Sequence, residues 1–206
     1  MKKILFQGDS ITDAIRVRDN DNFRGSGYPT LVSGKLGFEL PNEYEFVNRG
    51  ISGNRVVDLL ARVKSDIINL KPDIMSILIG VNDVWHELAR QNGVSAENYE
   101  KIYNMLIDEI CSALPGIRII ILEPFVLKGT ATEEKWEEFR SEVEMRAAAA
   151  KRVAEGHGLP FVELQKKFDD AETLAPADYW LIDGVHPTAA GHELIAREWI
   201  AAFKKL

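Results

Sequence analysis

Lys2-Lys3-Ile4-Leu5-Phe6-Gln7-Gly8-Asp9-Ser10-Ile11 is the stretch on which the rest of the chain turns. Ile4-Leu5-Phe6 is a short β-branched and aromatic run that Gly8 stops abruptly, which predicts a buried strand over Lys2–Phe6. Ser10 follows at once, and Ile11-Thr12-Asp13-Ala14-Ile15 predicts a short helical turn. A hydroxyl so placed stands at the carboxyl edge of a sheet with a helix N-terminus beneath it. Free N–H groups and the local dipole at such an end favour developing negative charge. Ser10 is therefore a candidate nucleophile. Serine is also a common helix cap that does nothing more, so the choice rests on what else reaches that edge.

Working outward, further apolar runs occur at Tyr44–Asn48, Asp73–Ile79, Arg118–Leu122 and Pro160–Leu164. Ile77-Leu78-Ile79 and Ile119-Ile120-Ile121 are nearly solid β-branched or leucine, as parallel strands covered on both faces require. Helix-length patterns separate them at Val56–Leu70, Ala96–Leu114 and Thr132–Gly156, and Thr188 reads as the cap of a final helix ending at Lys205. Thr130-Ala131-Thr132-Glu133 fits a capping box. Alternating strand and helix predict right-handed crossovers and a three-layer α/β/α sandwich, one domain over residues 1–206. Arg16–Ser26, rich in charge, Asn and Gly, reads as a mobile loop beside the first strand's end.

Composition narrows the partners. Over 206 residues the formal net charge is -7 and the hydrophobic content 46%. An acidic surface repels phosphate backbones and anionic bilayers, so neither nucleic acid nor membrane is expected as a partner. No apolar run approaches spanning length, and the run behind Met1-Lys2-Lys3 breaks too early for an export signal, which makes a cytoplasmic location the expectation. The single cysteine, Cys111, lies in an amphipathic run and reads as a buried inert thiol. Homo-oligomerisation is left open.

In an open α/β sheet, ligands bind beyond the carboxyl ends of the strands. Ser10 stands after the first strand, Asn48-Arg49-Gly50-Ile51-Ser52-Gly53-Asn54 after the second and Gly80-Val81-Asn82-Asp83 after the third. Asp183-Gly184-Val185-His186-Pro187 forms a late loop. Each alone reads as turn chemistry; together they supply every part of an acyl-transfer site. His186 can take the Ser10 proton, and Asp183, three residues earlier, can fix the imidazole's tautomer. Backbone N–H groups of Ser10 and Gly53 and the side-chain amide of Asn82 can receive an oxyanion.

These four blocks resemble those of the SGNH hydrolase superfamily, the GDSL-type esterases and lipases. Gly8-Asp9-Ser10-Ile11 carries Ile where the name has Leu, and the blocks occur in family order across nearly the whole chain. The resemblance implies a flavodoxin-like five-stranded parallel sheet in the order 2-1-3-4-5 and a triad of Ser10, Asp183 and His186. Thr12 stands where a Gly-x-Ser-x-Gly elbow would have its second glycine, so an α/β-hydrolase nucleophile elbow is not supported. Ser10-Ile11-Thr12-Asp13, Val81-Asn82-Asp83-Val84-Trp85 and Val185-His186-Pro187-Thr188 are similar to the acetylxylan-esterase branch. In that branch a Trp directly precedes the catalytic Asp; here Ile182 does, with Trp180 two residues further back.

The expectation is a cofactor-free serine esterase acting on small acetyl esters, such as acetyl groups on sugars or xylo-oligosaccharides, with Trp85 and Trp180 as candidate sugar-stacking walls. The alternatives are a short-chain thioesterase or lysophospholipase of the same superfamily, or a non-catalytic carbohydrate-binding relative. Asp9 reads as a structural hydrogen-bond partner of nearby backbone, Asp13 and Asp83 as caps or loop anchors, His192 as structural, and His157 as part of an exposed turn. His86 adjoins the site without an acidic partner in sequence. A dimetal site assembled from Asp9, Asp83, Asp183 and His186 lacks the tight His/Asp motifs such sites show, so no metal is expected.

Overall fold

A computed structural model describes all residues 1–206. Five parallel strands, β1 (Lys2–Gly8), β2 (Tyr44–Asn48), β3 (Ile74–Leu78), β4 (Arg118–Leu122) and β5 (Phe161–Val162), form one sheet in the order β2-β1-β3-β4-β5. Around it run α1 (Ser10–Asp13), α2 (Tyr28–Glu39), α3 (Val56–Ala61), α4 (Val63–Asp66), α5 (Val81–Arg90), α6 (Ala96–Ala113), α7 (Trp136–Gly156), α8 (Gln165–Ala171), α9 (Ala177–Trp180) and α10 (Ala189–Phe203). The fold and strand order are those the sequence implied.

The alternation of side chains along each strand explains why the sheet needs cover on both faces. Ile4, Phe6, Ile74, Leu78, Ile120 and Leu122 enter one apolar core, which α2 and α10 cover. Leu5, Met75, Ile77, Ile119 and Ile121 enter the opposite core, beneath α3 and α6. A strand that buries residues of both parities has no polar face to give to water, hence the solid apolar runs. Helix α7 serves both cores, with Phe139 and Val143 in the first and Ala149, Ala150 and Val153 in the second.

Several expectations needed correction. The helix read over Val56–Leu70 is broken at Arg62, whose backbone leaves helical geometry while its guanidinium reaches Gln7, Asn54 and the carbonyl of Arg49. Pro160–Leu164 yields only the two-residue β5, an edge strand. The capping box at Thr130–Glu133 does not form, because the Glu133 N–H that the Thr130 hydroxyl would accept donates to the carbonyl of Gly129 instead. Cys111 is exposed, on the outer side of α6. Thr188 does cap α10, accepting the N–H of Gly191.

The weight of the core shows in two phenylalanines of opposite exposure. Phe6, fully buried between Tyr28 and Trp199, should cost about 3–5 kcal/mol when replaced by Ala. Phe38, 88% exposed on α2, should cost within about 0.5 kcal/mol for the same change. Urea midpoints of the two variants check both values.

Candidate active site

The end of β1 shows why Ser10 sits where it does. Asp9 caps α1 with its Oδ1, which accepts the N–H of Ile11, and the helix lasts only to Asp13. Ala14 and Ile15 then take left-handed backbone, with φ of 42° and 63°, and turn the chain away from the edge. Asp9 thus makes the structural hydrogen bond to nearby backbone that the sequence suggests, and it, not Ser10, caps the helix, buried beside Ser10. Burial pushes its carboxyl up to about 7 against the opposing hydrogen bond from Ile11 and the nearby charge of His186.

The glycine-rich turn after β2 is held against α1. Asp13 Oδ2 accepts from the N–H and hydroxyl of Ser52, and Asn48 Nδ2 donates to the carbonyl of Thr12. Gly50 packs so closely that a Cβ there would lie 2.3 Å from the backbone nitrogen of Asp13. At the next bend Gly53 adopts a φ of 82°, a conformation L side chains rarely take. The Gly53 N–H donates to no protein acceptor, so it is free for a ligand. Asn82, in the first turn of α5, donates one amide hydrogen to the carbonyl of Asn54 at 3.1 Å and keeps the other available. Its neighbour Asp83 is fully buried and accepts the N–H of Val56, pinning the start of α3 to the start of α5. Asp13 and Asp83 are thus loop anchors. His192 is structural too, accepting the N–H of Tyr28 through Nδ1.

The late loop arrives from the far end of the chain. The backbone of Asp183 and Gly184 accepts the N–H groups of Ala131 and Leu127, which straps this loop to the segment after β4. Within the loop, Asp183 Oδ1 accepts the N–H groups of Val185 and His186, while Oδ2 lies 2.7 Å from His186 Nδ1. On the other side of the ring, His186 Nε2 lies 3.0 Å from Ser10 Oγ across 176 residues of sequence. Burial alone would raise the Asp183 carboxyl, but the hydrogen bond to His186 and the two backbone donors outweigh it and hold the group at about 2. The same hydrogen bond lifts His186 above its ordinary value against the opposing effect of burial.

Ser10, Gly53, Asn82, Trp85 and His186 line one open cleft of about 280 Å³. Asp183 stands behind His186, and the Trp85 ring lies 5.8 Å from the imidazole. Trp180 is not brought to this cleft. Its indole N–H donates to the carbonyl of Ala175, and its ring lines a separate groove between α8 and α10. His86 and Arg90 also line the cleft. They follow Asn82 at helical spacing of four and eight residues, a signal readable only once α5 is recognised as a helix. Asp9, Asp83, Asp183 and His186 do not collect as metal ligands, and no cluster of three His, Cys, Asp or Glu able to hold a metal occurs anywhere in the chain. No helix is long and apolar enough to cross a membrane.

A hydroxyl, an imidazole and a carboxylate in series, with free donors opposite, can move a proton off an oxygen while sheltering a new anion. Fold and sequence alike place the molecule among the carboxylic ester hydrolases. The chain belongs to the GDSL-like lipase/acylhydrolase family, whose pattern it matches over residues 6–194. It is 36% identical over 210 residues to the acetylxylan esterase of Geobacillus stearothermophilus, an alignment covering 97% of this chain and 92% of that one. A Parabacteroides merdae chain described as a GDSL-like lipase superposes with a TM-score of 0.94 at 38% identity, covering 98% of this chain and 95% of that one. A tryptophan-to-isoleucine variant of the Geobacillus acetyl-xylooligosaccharide esterase superposes with a TM-score of 0.87 at 34% identity, covering 98% and 93%.

The electrostatics of the late loop predict a titration. By NMR, the His186 ring should titrate above its ordinary 6.5 and fall in Asp183→Asn, whereas His192, lowered chiefly by burial, should stay neutral down to about 4. A raised histidine stabilises the fold below 6.5 and ceases to as pH rises through its folded value; a lowered Asp183 stabilises above 3.8 and ceases to as pH falls towards about 2. The pair therefore contributes most between pH 3.8 and 6.5. A wild-type His186 midpoint at or below 6.5 would contradict the assignment.

Proposed function

We propose that the chain is an O-acetylesterase acting on acetylated sugars of the xylo-oligosaccharide class, with Ser10 as nucleophile, His186 as base and Asp183 as the group that orients it. The observation that carries this reading is the unbroken chain from Ser10 Oγ to His186 Nε2 at 3.0 Å and from His186 Nδ1 to Asp183 Oδ2 at 2.7 Å. With the Nδ1 proton donated to Asp183, Nε2 is a free acceptor for the hydroxyl proton.

As Ser10 Oγ bonds to the acetyl carbon, its proton passes to His186, and the carbonyl electron pair moves onto oxygen. The Ser10 and Gly53 N–H groups and the free Asn82 amide hydrogen receive that oxyanion. Collapse breaks the bond to the sugar oxygen, which takes the proton from His186 and leaves as the alcohol. Water then gives a proton to His186, attacks the acetyl-serine and releases acetate, restoring Ser10.

The relatives support this assignment. Geobacillus variants described as catalytic mutants replace a serine, an aspartate and a histidine, the last two three positions apart, the spacing of Asp183 and His186. A cleft of about 280 Å³ suits a small acyl group better than a long chain, since pockets that bury drug-sized ligands run from about 300 to 1,000 Å³. The Trp85 ring beside His186 offers an apolar face for a pyranose.

Ser10→Ala should lower kcat on the order of 10⁶-fold with an unchanged circular dichroism spectrum. Turnover above about a tenth of wild type would reject the covalent route. Across p-nitrophenyl esters, acetyl should be preferred and activity should collapse beyond butyryl. A preference for octanoyl or palmitoyl would reject the acetyl assignment in favour of a lysophospholipase.

A further inference from the structure

Trp85 is not only a wall of the catalytic cleft. Its ring has two aromatic neighbours, His186 at 5.8 Å and Phe139 at 6.2 Å. Beyond it, on the Phe139 side, lies a second open cavity of about 310 Å³, walled by Trp85, Leu88 and Phe139. The two cavities share Trp85 and Ala89 along α5, so they adjoin across a single aromatic ridge.

The chemistry of the second cavity is that of a sugar site. Trp85 and Leu88 present apolar surface, as the carbon-rich face of a pyranose requires. Glu134 and Lys135 stand on its rim. Glu134 is exposed and makes no hydrogen bond or ion pair within the protein, and Lys135 makes only a 3.4 Å contact with the carbonyl of Leu88. An acceptor and a donor are thus free to meet hydroxyl groups. The catalytic cleft alone falls below the usual volume of a ligand pocket, whereas a ligand spanning both cavities would occupy a normal one.

We propose that this cavity is a second sugar subsite, so that the enzyme takes an oligosaccharide laid across Trp85, with the acetylated residue at Ser10 and the next residue between Leu88 and Glu134. The inference rests on the sugar-ester reading above and adds chain-length selectivity to it. It requires no change in the chemistry at Ser10, only ground-state and transition-state binding of a neighbouring ring.

The test compares kcat/KM for acetylated xylotriose, acetylated methyl xyloside and p-nitrophenyl acetate. Leu88→Trp, which fills the cavity, should lower the value for the trisaccharide on the order of tenfold, the effect of about 1.4 kcal/mol, and leave the other two within about twofold. Glu134→Ala combined with Lys135→Ala, both exposed, should move the same ratio in the same direction without any risk to the core. Wild-type enzyme with equal kcat/KM for the mono- and trisaccharide, or variants that lower all three substrates alike, would overturn the subsite while leaving the sugar esterase standing. If neither acetylated sugar is a substrate, the sugar-ester reading fails separately. Binding of unesterified xylotriose to the wild-type protein, measured by calorimetry and weakened by Leu88→Trp, then supports the subsite, and absence of binding overturns it.

Discussion

Parallel pairing on both sides of β1 is the constraint on which the molecule depends. β2 runs beside it with Phe6 opposite Asn48, and β3 with Gly8 opposite Leu78. Because all three strands point the same way, the chain leaves each of them at one edge, and Ser10, Gly53 and Asn82 emerge within a few residues of that exit. An antiparallel neighbour would deliver its loop to the opposite edge. The order β2-β1-β3 also puts the strand that leads to Ser10 where consecutive connections depart in opposite directions, which opens a crevice instead of a closed surface. β4 extends the same logic, since the segment after it carries the strap that holds Asp183.

A common edge brings loops near one another but does not fix them, and buried polar side chains supply the rest. Asp13 ties Ser52 to α1, Asn48 ties its own turn to Thr12, and Asp83 ties Val56 to α5. Arg62 reaches across to Gln7, Asn54 and the carbonyl of Arg49. Each is placed where losing one partner would strand a buried group, costing about 1–3 kcal/mol or more when charged. Donors that must already face an oxyanion before the reaction need this rigidity, because reorientation during the step would cancel the gain. The Asp83 carboxyl, raised well above its ordinary value by burial, lies beneath this arrangement as an anchor and not as an acid.

The candidate site is more legible in the sequence than the helices around it. Ser10, Gly53, Asn82, Asp183 and His186 were legible because each stands just past an apolar run or in a turn of unusual composition, where chemistry and local geometry coincide. Helix α2 leaves no clear period in the sequence. Among Tyr28–Glu39 it buries Tyr28, Val32 and Leu36 but also contains Gly34, Gly37 and an exposed Phe38, which blur the period. Helix α5 is hard to recognise because Gly80, Asn82 and Asp83 at its start carry the composition of a turn. Trp180 shows the other limit. Proximity to Asp183 in sequence said nothing of side-chain direction, and α9 turns the indole towards α8 and α10. Cys111 likewise lies in an amphipathic helix but on its outward side.

The proposed chemistry requires that His186 and Asp183 activate the Ser10 hydroxyl. Treating the protein with a p-nitrophenyl phosphonate and mapping the adduct by peptide mass spectrometry, in wild type and in His186→Ala, tests this most directly. One adduct per chain is expected, on Ser10, forming in step with loss of esterase activity and nearly absent in His186→Ala. Complete inactivation with the label on another residue, or equal labelling of Ser10 without the imidazole, would contradict it.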